Sequence, residues 1–451
     1  MAYNAIVTRL KNVRPHGNAD KVKLASCHGN QVVIDLNEVE DALGVFFPSD
    51  GQLSHEFCYA NNLYREAEQN INPKAKPGMF DLNRRVRTQK FRGEVSDGFW
   101  VDLSYFKFLK IDKASLVEGY EFDTLKGIPI CSKYINPATA KIARENQKKT
   151  KTSKRSIMFK EHFDTGQLGP NMHQFNEDDV VILSRKLHGT SGRVGYVQME
   201  RSLSFIEKVA KLVGVKVNEY EWTHLSGSRR TVQGESKGIP FHEPTIREKA
   251  MKMFEGNLRK GETVYFEIVG FENTGAPIMQ SVGTAKLNDK EFTKQYGDVM
   301  TFKYGCAPGE SDVYLYRMTL TNNDGQSVDY SWDDMVKRAS EIGVKTVPFV
   351  LKTSMKELHL LNVLDNIAGV GLDYNEGKAK ERLVKIIQSH LDTPSVLDPE
   401  HIEEGIVVRI EGGLTNKSYK MKGYNFKVLE GIIKDSGVVD VEEAEDLQKE
   451  G

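Results

Sequence analysis

The stretch Ser184-Arg185-Lys186-Leu187-His188-Gly189-Thr190-Ser191-Gly192-Arg193 constrains the fold more than any other part of the chain. Four apolar residues, Val180 to Leu183, precede it and read as a buried strand that delivers Lys186 to a small, polar, glycine-broken turn. A lysine at a strand end is most often a solvated surface residue. The small residues after this one, however, would let a phosphate or nucleotide come close to the backbone, and the amine supplies either a charge or, once deprotonated, a nucleophile. Which of these it does depends on its partners downstream.

Those partners arrive one strand at a time. Val264 to Gly270 is an apolar run holding a single acid, Glu267. A buried unpaired carboxylate is costly, so Glu267 is expected to face a cleft and bind hydroxyls, a cation or a metal. Val313 to Met318 alternates like a strand, with Tyr314 and Tyr316 on one face, where core packing is the default. Glu403 and Glu404 stand at the start of the strand Gly405 to Arg409, and the two-residue period of a strand puts Lys420 and Lys422 on one side. One candidate nucleophile, acids on separate strands and a lysine pair suit attack of an amine on a nucleotide α-phosphate. The lysine pair would neutralise phosphate oxygens, the acids would position ribose and a divalent metal, and an aromatic would stack the base.

The rest of the chain frames this region. From Asn4 to about Phe106, short apolar runs such as Val32-Val33-Ile34 and Val45-Phe46-Phe47 alternate with turn residues, which favours a small β-barrel. Within it Arg84, Arg85, Arg87, Lys90 and Arg92 cluster beside Phe91, a mix suited to phosphates and bases or to a solvated ribbon. Lys141 to Lys160 is a basic, polar linker, and Asp435 to Gly451 an acidic tail. Phe205, Ile206, Val209, Leu212 and Val213 recur at helical spacing and are expected in a core, and a further helix is expected from Thr245 toward Phe254. The net charge of -1 gives no global attraction to polyanions, so any such binding rests on local patches. Cys27, Cys58, Cys131 and Cys306 are too scattered for a zinc site or a disulfide framework. With no signal peptide and no apolar run near the roughly 20 residues that span a bilayer, an intracellular, cytoplasmic, soluble protein is expected.

The order of these motifs resembles the covalent nucleotidyltransferases. Lys186-Leu-His-Gly-Thr-Ser resembles their motif I, Tyr265-Phe-Glu267-Ile motif III, Tyr314-Leu-Tyr316-Arg motif IIIa, Glu404-Gly-Ile-Val-Val-Arg409 motif IV and Lys420-Met-Lys422 motif V. Each is short, and five in order are specific. Only a short acidic stretch follows Lys422 in this sequence, so the C-terminal barrel of DNA ligases and capping enzymes is not expected. The barrel-like segment lies at the N-terminus instead, as in the Deinococcus and Naegleria type of nick-sealing RNA ligase. His188 stands where DNA ligases have aspartate, Ser191 where they have arginine, and Arg317 follows Tyr316 where motif IIIa usually has aspartate.

The resemblance implies an α+β architecture: an OB-fold-like RNA-docking domain over residues 1–125, a basic linker over 126–158, an adenylyltransferase domain of antiparallel sheets flanked by helices over 159–434, and an acidic tail over 435–451. It implies an ATP-dependent RNA ligase, monomeric, with Mg2+ or Mn2+ as cofactor, that joins 3′-hydroxyl and 5′-phosphate RNA ends at duplex nicks through lysyl-AMP and RNA-adenylate. The roles it implies are nucleophile for Lys186, nucleotide contacts for His188 and Gly189, ribose contacts for Glu267 and Arg193, and base stacking for Tyr316. Glu404 would hold metal, Lys420 and Lys422 phosphate, and Arg229 with Arg230 would form a weaker phosphate-contacting pair. Two alternatives remain at this level: a GTP-using, guanylyltransferase-like enzyme, or a catalytically idle RNA-binding adaptor.

Overall fold

Two sheets build the second half of the chain, and the lysine turn is the crossing between them. The first has the strand order Gly166–Gln167, Lys417–Lys422, Gly405–Glu411, Val180–Lys186, Phe349–Ser354. Its pairings are antiparallel except for the short first strand. The second runs Tyr220–Gly227, Thr190–Glu200, Glu262–Gly270, Ser311–Thr321, Ser327–Asp329, with Lys345–Thr346 parallel to Ser311–Thr321. In the first sheet Val181, Leu183, Ile406 and Val408 are buried against Met355, Leu358, Ala379, Leu383 and Ile387 of the helices Met355–Asp365 and Glu376–Gln388. Each large aliphatic side chain so buried contributes about 1.5–3 kcal/mol. This mixed α and β arrangement, with antiparallel sheets and covering helices, is the class expected from the sequence.

This computed structural model describes residues 3–147, 156–163, 165–229, 232, 244–365, 375–435, 443–444 and 447. The middle of the basic linker, Arg230 and almost all of the acidic tail lie outside them. The chain divides into two units, Met1–Asn136 with Lys427–Ser436, and Pro137–Phe426 with Gly437–Gly451. Among the described residues no helix is long and apolar enough to cross a membrane.

The first unit is a set of small sheets. A four-stranded sheet is ordered Phe99–Asp102, Leu43–Phe47, Ala5–Arg9, Glu121–Phe122, and Lys11–His16, Ala19–Cys27 and Asn30–Asp35 form a three-stranded one. Phe47, Phe57, Tyr64, Phe106 and Ile130 share its main core. Strand pairing among the described residues leaves these sheets open and closes no barrel. The segment read as a linker begins with strand Ile128–Pro129, strand Cys131–Lys133 and helix Pro137–Gln147.

Two expectations need correction. Arg85 is not available to phosphate: its side chain is 2% exposed, donates from Nη1 to the Gly431 carbonyl at 3.0 Å and from Nη2 to Asp50 at 3.3 Å, and lies over Tyr134. Cations in a β segment alternate faces, and Arg85 takes the inward one. The helix Phe205–Leu212 forms, but its apolar residues are not core. Phe205, Ile206 and Leu212 are 80%, 79% and 89% exposed. Helical spacing reports that one face is apolar and not that something covers it. A capping box between Ser204 and Glu207 holds the helix start locally.

Candidate active site

Three strand ends meet at one edge of the first sheet. Lys186 pairs with Gly405, and Gly405 pairs with Lys422 on its other side. The residue just before Gly405, Glu404, therefore lies between two lysines. Lys186 Nζ and Lys422 Nζ each stand 3.0 Å from the same oxygen, Glu404 Oε1. His188 Nδ1 is 3.8 Å from Oε2. Glu404 is 1% exposed. Burial pushes its carboxyl up, but Lys186, Lys422 and His188 outweigh that and hold it at about 2. Gly405 permits the approach, because a Cβ there would lie 2.2 Å from the Met421 carbonyl.

The turn after Lys186 is fixed from the second sheet. The Gly189 amide donates to Glu267 Oε1 at 3.0 Å, and Glu267 faces Ser191 across the ladder. A Cβ on Gly189 would lie 2.2 Å from the Ile268 carbonyl, so no larger residue lets the turn sit this close to the strand. The His188 amide donates to the Tyr304 hydroxyl at 2.6 Å. Its imidazole is held edge-on between Phe302 and Phe426, with ring centroids 4.7 and 4.9 Å away, and Lys422 lies over Phe426. Tyr304, Phe302 and Phe426 carry no motif, and sequence reasoning missed them. The one signal was the aromatic Phe302-Lys303-Tyr304 triplet between motifs III and IIIa.

The other expected residues gather on the second sheet. The ladder pairs Tyr265 with Arg317 and Phe266 with Leu315, so Tyr316 is bypassed. Such a bulge breaks strict alternation and re-aims a side chain. Tyr316 is half-buried beside His162, at 5.2 Å between ring centroids. Arg317 is ion-paired with Asp329 at 2.7 Å. Arg193 is buried, with its guanidinium over Phe159 at 4.3 Å and donating to the Lys160 carbonyl. Arg229 offers its own carbonyl to the His162 amide at 3.0 Å. Lys420 is half-buried in the strand beside Gln167. The structure thus gathers Lys186, Lys422 and His188 around Glu404, and ties Gly189 of the same turn to Glu267 by a hydrogen bond. Tyr316, Arg193 and Arg229 form a second group around Ser156–Phe163.

Among the described residues no three His, Cys, Asp or Glu side chains converge as a metal cage. Glu404 Oε2 is nevertheless a buried carboxylate oxygen without a hydrogen-bond partner among the described residues. One carboxylate oxygen completed by phosphate and water suits magnesium or manganese, which commonly bind with few protein ligands.

A family model described as RNA ligase matches residues 179–429. Among solved structures, Naegleria gruberi RNA ligase with PPi aligns at 16% identity and a TM-score of 0.52, covering 96% of this chain and 98% of that one. An apo alanine mutant of Naegleria gruberi RNA ligase R4a aligns at 15% and 0.54, covering 94% and 97%. Another alanine mutant, with ATP and Mn, aligns at 15% and 0.52, covering 94% and 98%. At these identities the likeness is one of fold. No curated protein matches the chain by sequence.

Proposed function

The chain belongs to the RNA ligase family, and from that premise we propose that it uses ATP to join a 3′-hydroxyl RNA end to a 5′-phosphate end, sealing nicks in duplex RNA. The observation that carries the reading is the pair of lysines on one buried carboxylate, with one lysine at the mouth of a turn that Glu267 fixes through the Gly189 amide. An adaptor that only bound RNA would need no such arrangement. The Naegleria gruberi ligase, solved with ATP and Mn and with PPi, has the substrate, metal and leaving group that this chemistry requires.

In the resting site Lys186 donates to Glu404, and an ammonium in that state has no lone pair to offer. Nucleotide phosphates would bind beside Lys420 and Lys422, and attack needs the neutral amine. Lys186 then loses a proton to water, its Nζ attacks the α-phosphorus, the Nζ–P bond forms and the bond to pyrophosphate breaks. The lysyl-AMP so formed passes AMP to the RNA 5′-phosphate, and the 3′-hydroxyl displaces AMP in the joining step. Glu404, through Oε2, would hold a divalent cation, which when bound supplies neutralisation of phosphate charge. Glu267 fixes the turn through the Gly189 amide and is the ribose-side carboxylate. Tyr316, turned out by its bulge, is the surface on which the base stacks. We read the first unit as the RNA-docking module, the counterpart of an OB-like domain.

Incubation of the protein with ATP or GTP labelled at the α-phosphate, followed by a denaturing gel, tests the reading. A labelled band with ATP is expected. A band with GTP alone would make the protein a guanylyltransferase-like enzyme, and no band with either would make it an adaptor.

A further inference from the structure

The segment Ser156–Phe163 is tied to the second sheet by arginines. The Lys160 carbonyl accepts from Arg193 and, at 3.0 Å, from the Tyr265 hydroxyl. The Arg317 guanidinium lies over Phe163 at 4.2 Å. Buried guanidinium groups of this kind fix a strap in place, and the strap carries His162. The His162 ring packs beside Tyr265 and the bulged Tyr316, at 5.5 and 5.2 Å between centroids.

The tautomer follows from one contact. Arg317 Nη1 is 3.4 Å from His162 Nδ1, and a guanidinium can only donate. Nδ1 is therefore the acceptor, and the ring proton sits on Nε2. The ring is neutral as well. Burial, then the charges of Arg317, Arg229, Arg193 and Lys186, hold it well below the usual histidine range. The result is an N–H donor of fixed direction beside the aromatic that would carry the base.

We propose that His162 is the nucleotide-specificity residue of this site, its Nε2–H donating to N1 of an adenine stacked on Tyr316. Adenine N1 is an acceptor, whereas guanine N1 carries a hydrogen and would oppose a second donor. The assignment rests on the adenylyl-transfer reading and adds to it the reason for choosing ATP over GTP. Nothing in the five motifs points to His162, which lies upstream of them all.

The test uses the full chain and labelled nucleotide analogues. The protein should label with ATP and about equally with 7-deaza-ATP, which keeps N1. With 1-deaza-ATP, where a C–H replaces N1, kcat/KM should fall about tenfold, mostly through KM, as expected for one lost hydrogen bond to the base. In His162→Phe, which keeps a flat ring beside Tyr316, ATP and 1-deaza-ATP should be used equally and discrimination against GTP should weaken. A variant–ligand cycle of this kind isolates the one contact. Equal use of ATP and 1-deaza-ATP by the unaltered protein would overturn the proposal even if the variant failed to fold, as would a 1-deaza penalty that persists in His162→Phe. A protein that labels with ATP but ignores N1 loses only the role of His162, whereas one that labels with no nucleotide loses the ligase reading and this proposal together.

Discussion

Two ammonium groups on one oxygen make Glu404 the residue whose charge state matters most. Its carboxyl is held at about 2 against an ordinary 4.5, so its contribution to stability is complete above pH 4.5 and lost as pH falls toward 2. That contribution is roughly 3 kcal/mol for a shift of this size. Glu404→Gln should therefore show a flatter loss of stability between pH 5 and 2.5 than the unaltered protein, measured by denaturant unfolding at each pH. Equal slopes would show that the carboxylate is not paired as described. Lys186→Ala should leave Glu404 paired with Lys422, so the fold persists while the covalent label disappears. The same variant should still seal RNA supplied with a 5′-adenylate, since only the first step needs the amine. Persistent labelling in Lys186→Ala would remove Lys186 as nucleophile. Tyr304→Phe strips the His188 amide of its acceptor, at a cost of about 1–3 kcal/mol. Lys186, two residues earlier, should then label more slowly at unchanged ATP affinity.

At the scale of elements, strand ends make the site, and this much was legible in the sequence. The apolar run before Lys186, the glycine after Glu404 and the two-residue spacing of Lys420 and Lys422 each specify a strand and where it stops. Which ends adjoin depends on sheet order, and sheet order comes from long-range pairing that no local pattern carries. The aromatic cage around His188 was unreadable for the same reason, since Phe302 and Phe426 come from segments far apart in the chain. The bulge at Tyr316 was hidden too, because the strand alternates in sequence although its ladder skips a residue. The exposed helix Phe205–Leu212 shows the opposite error, a clear pattern without the burial it suggested. Phe205→Gln with Leu212→Gln should change the midpoint of thermal unfolding very little, within about 0.5 kcal/mol in stability. A loss of several kcal/mol would mean that this face is covered in solution. Gly405→Ala should be far more damaging despite its size, because the added carbon meets the Met421 carbonyl and forces apart the strands that bring Glu404 to Lys422.

At the scale of the whole molecule, the first unit is not separable by a cut in the chain. Residues Lys427–Ser436 belong with it, and within that unit Asn136 donates to the Lys434 carbonyl at 2.7 Å while Arg85 donates to that of Gly431. A chain beginning near Phe159 would strip those carbonyls of their donors, so truncation would test docking and folding together. Point changes keep them apart. The hairpin of Thr88–Phe91 and Glu94–Asp97 presents Phe91, 41% exposed, next to exposed Arg92, with half-buried Lys90 before it. An aromatic flanked by cations suits a base and its backbone phosphates. Lys90→Glu with Arg92→Glu should therefore leave labelling by ATP unchanged and weaken sealing of a nicked duplex. The salt dependence of RNA binding should flatten by about one unit of slope for each phosphate contact removed. Arg85→Glu serves as the contrast: it puts a second acid beside Asp50 in a buried site, so it should destabilise the first unit and should not give a selective loss of sealing. If the double reversal at Lys90 and Arg92 binds and seals RNA as well as the unaltered protein at moderate salt, this hairpin is not where the substrate docks.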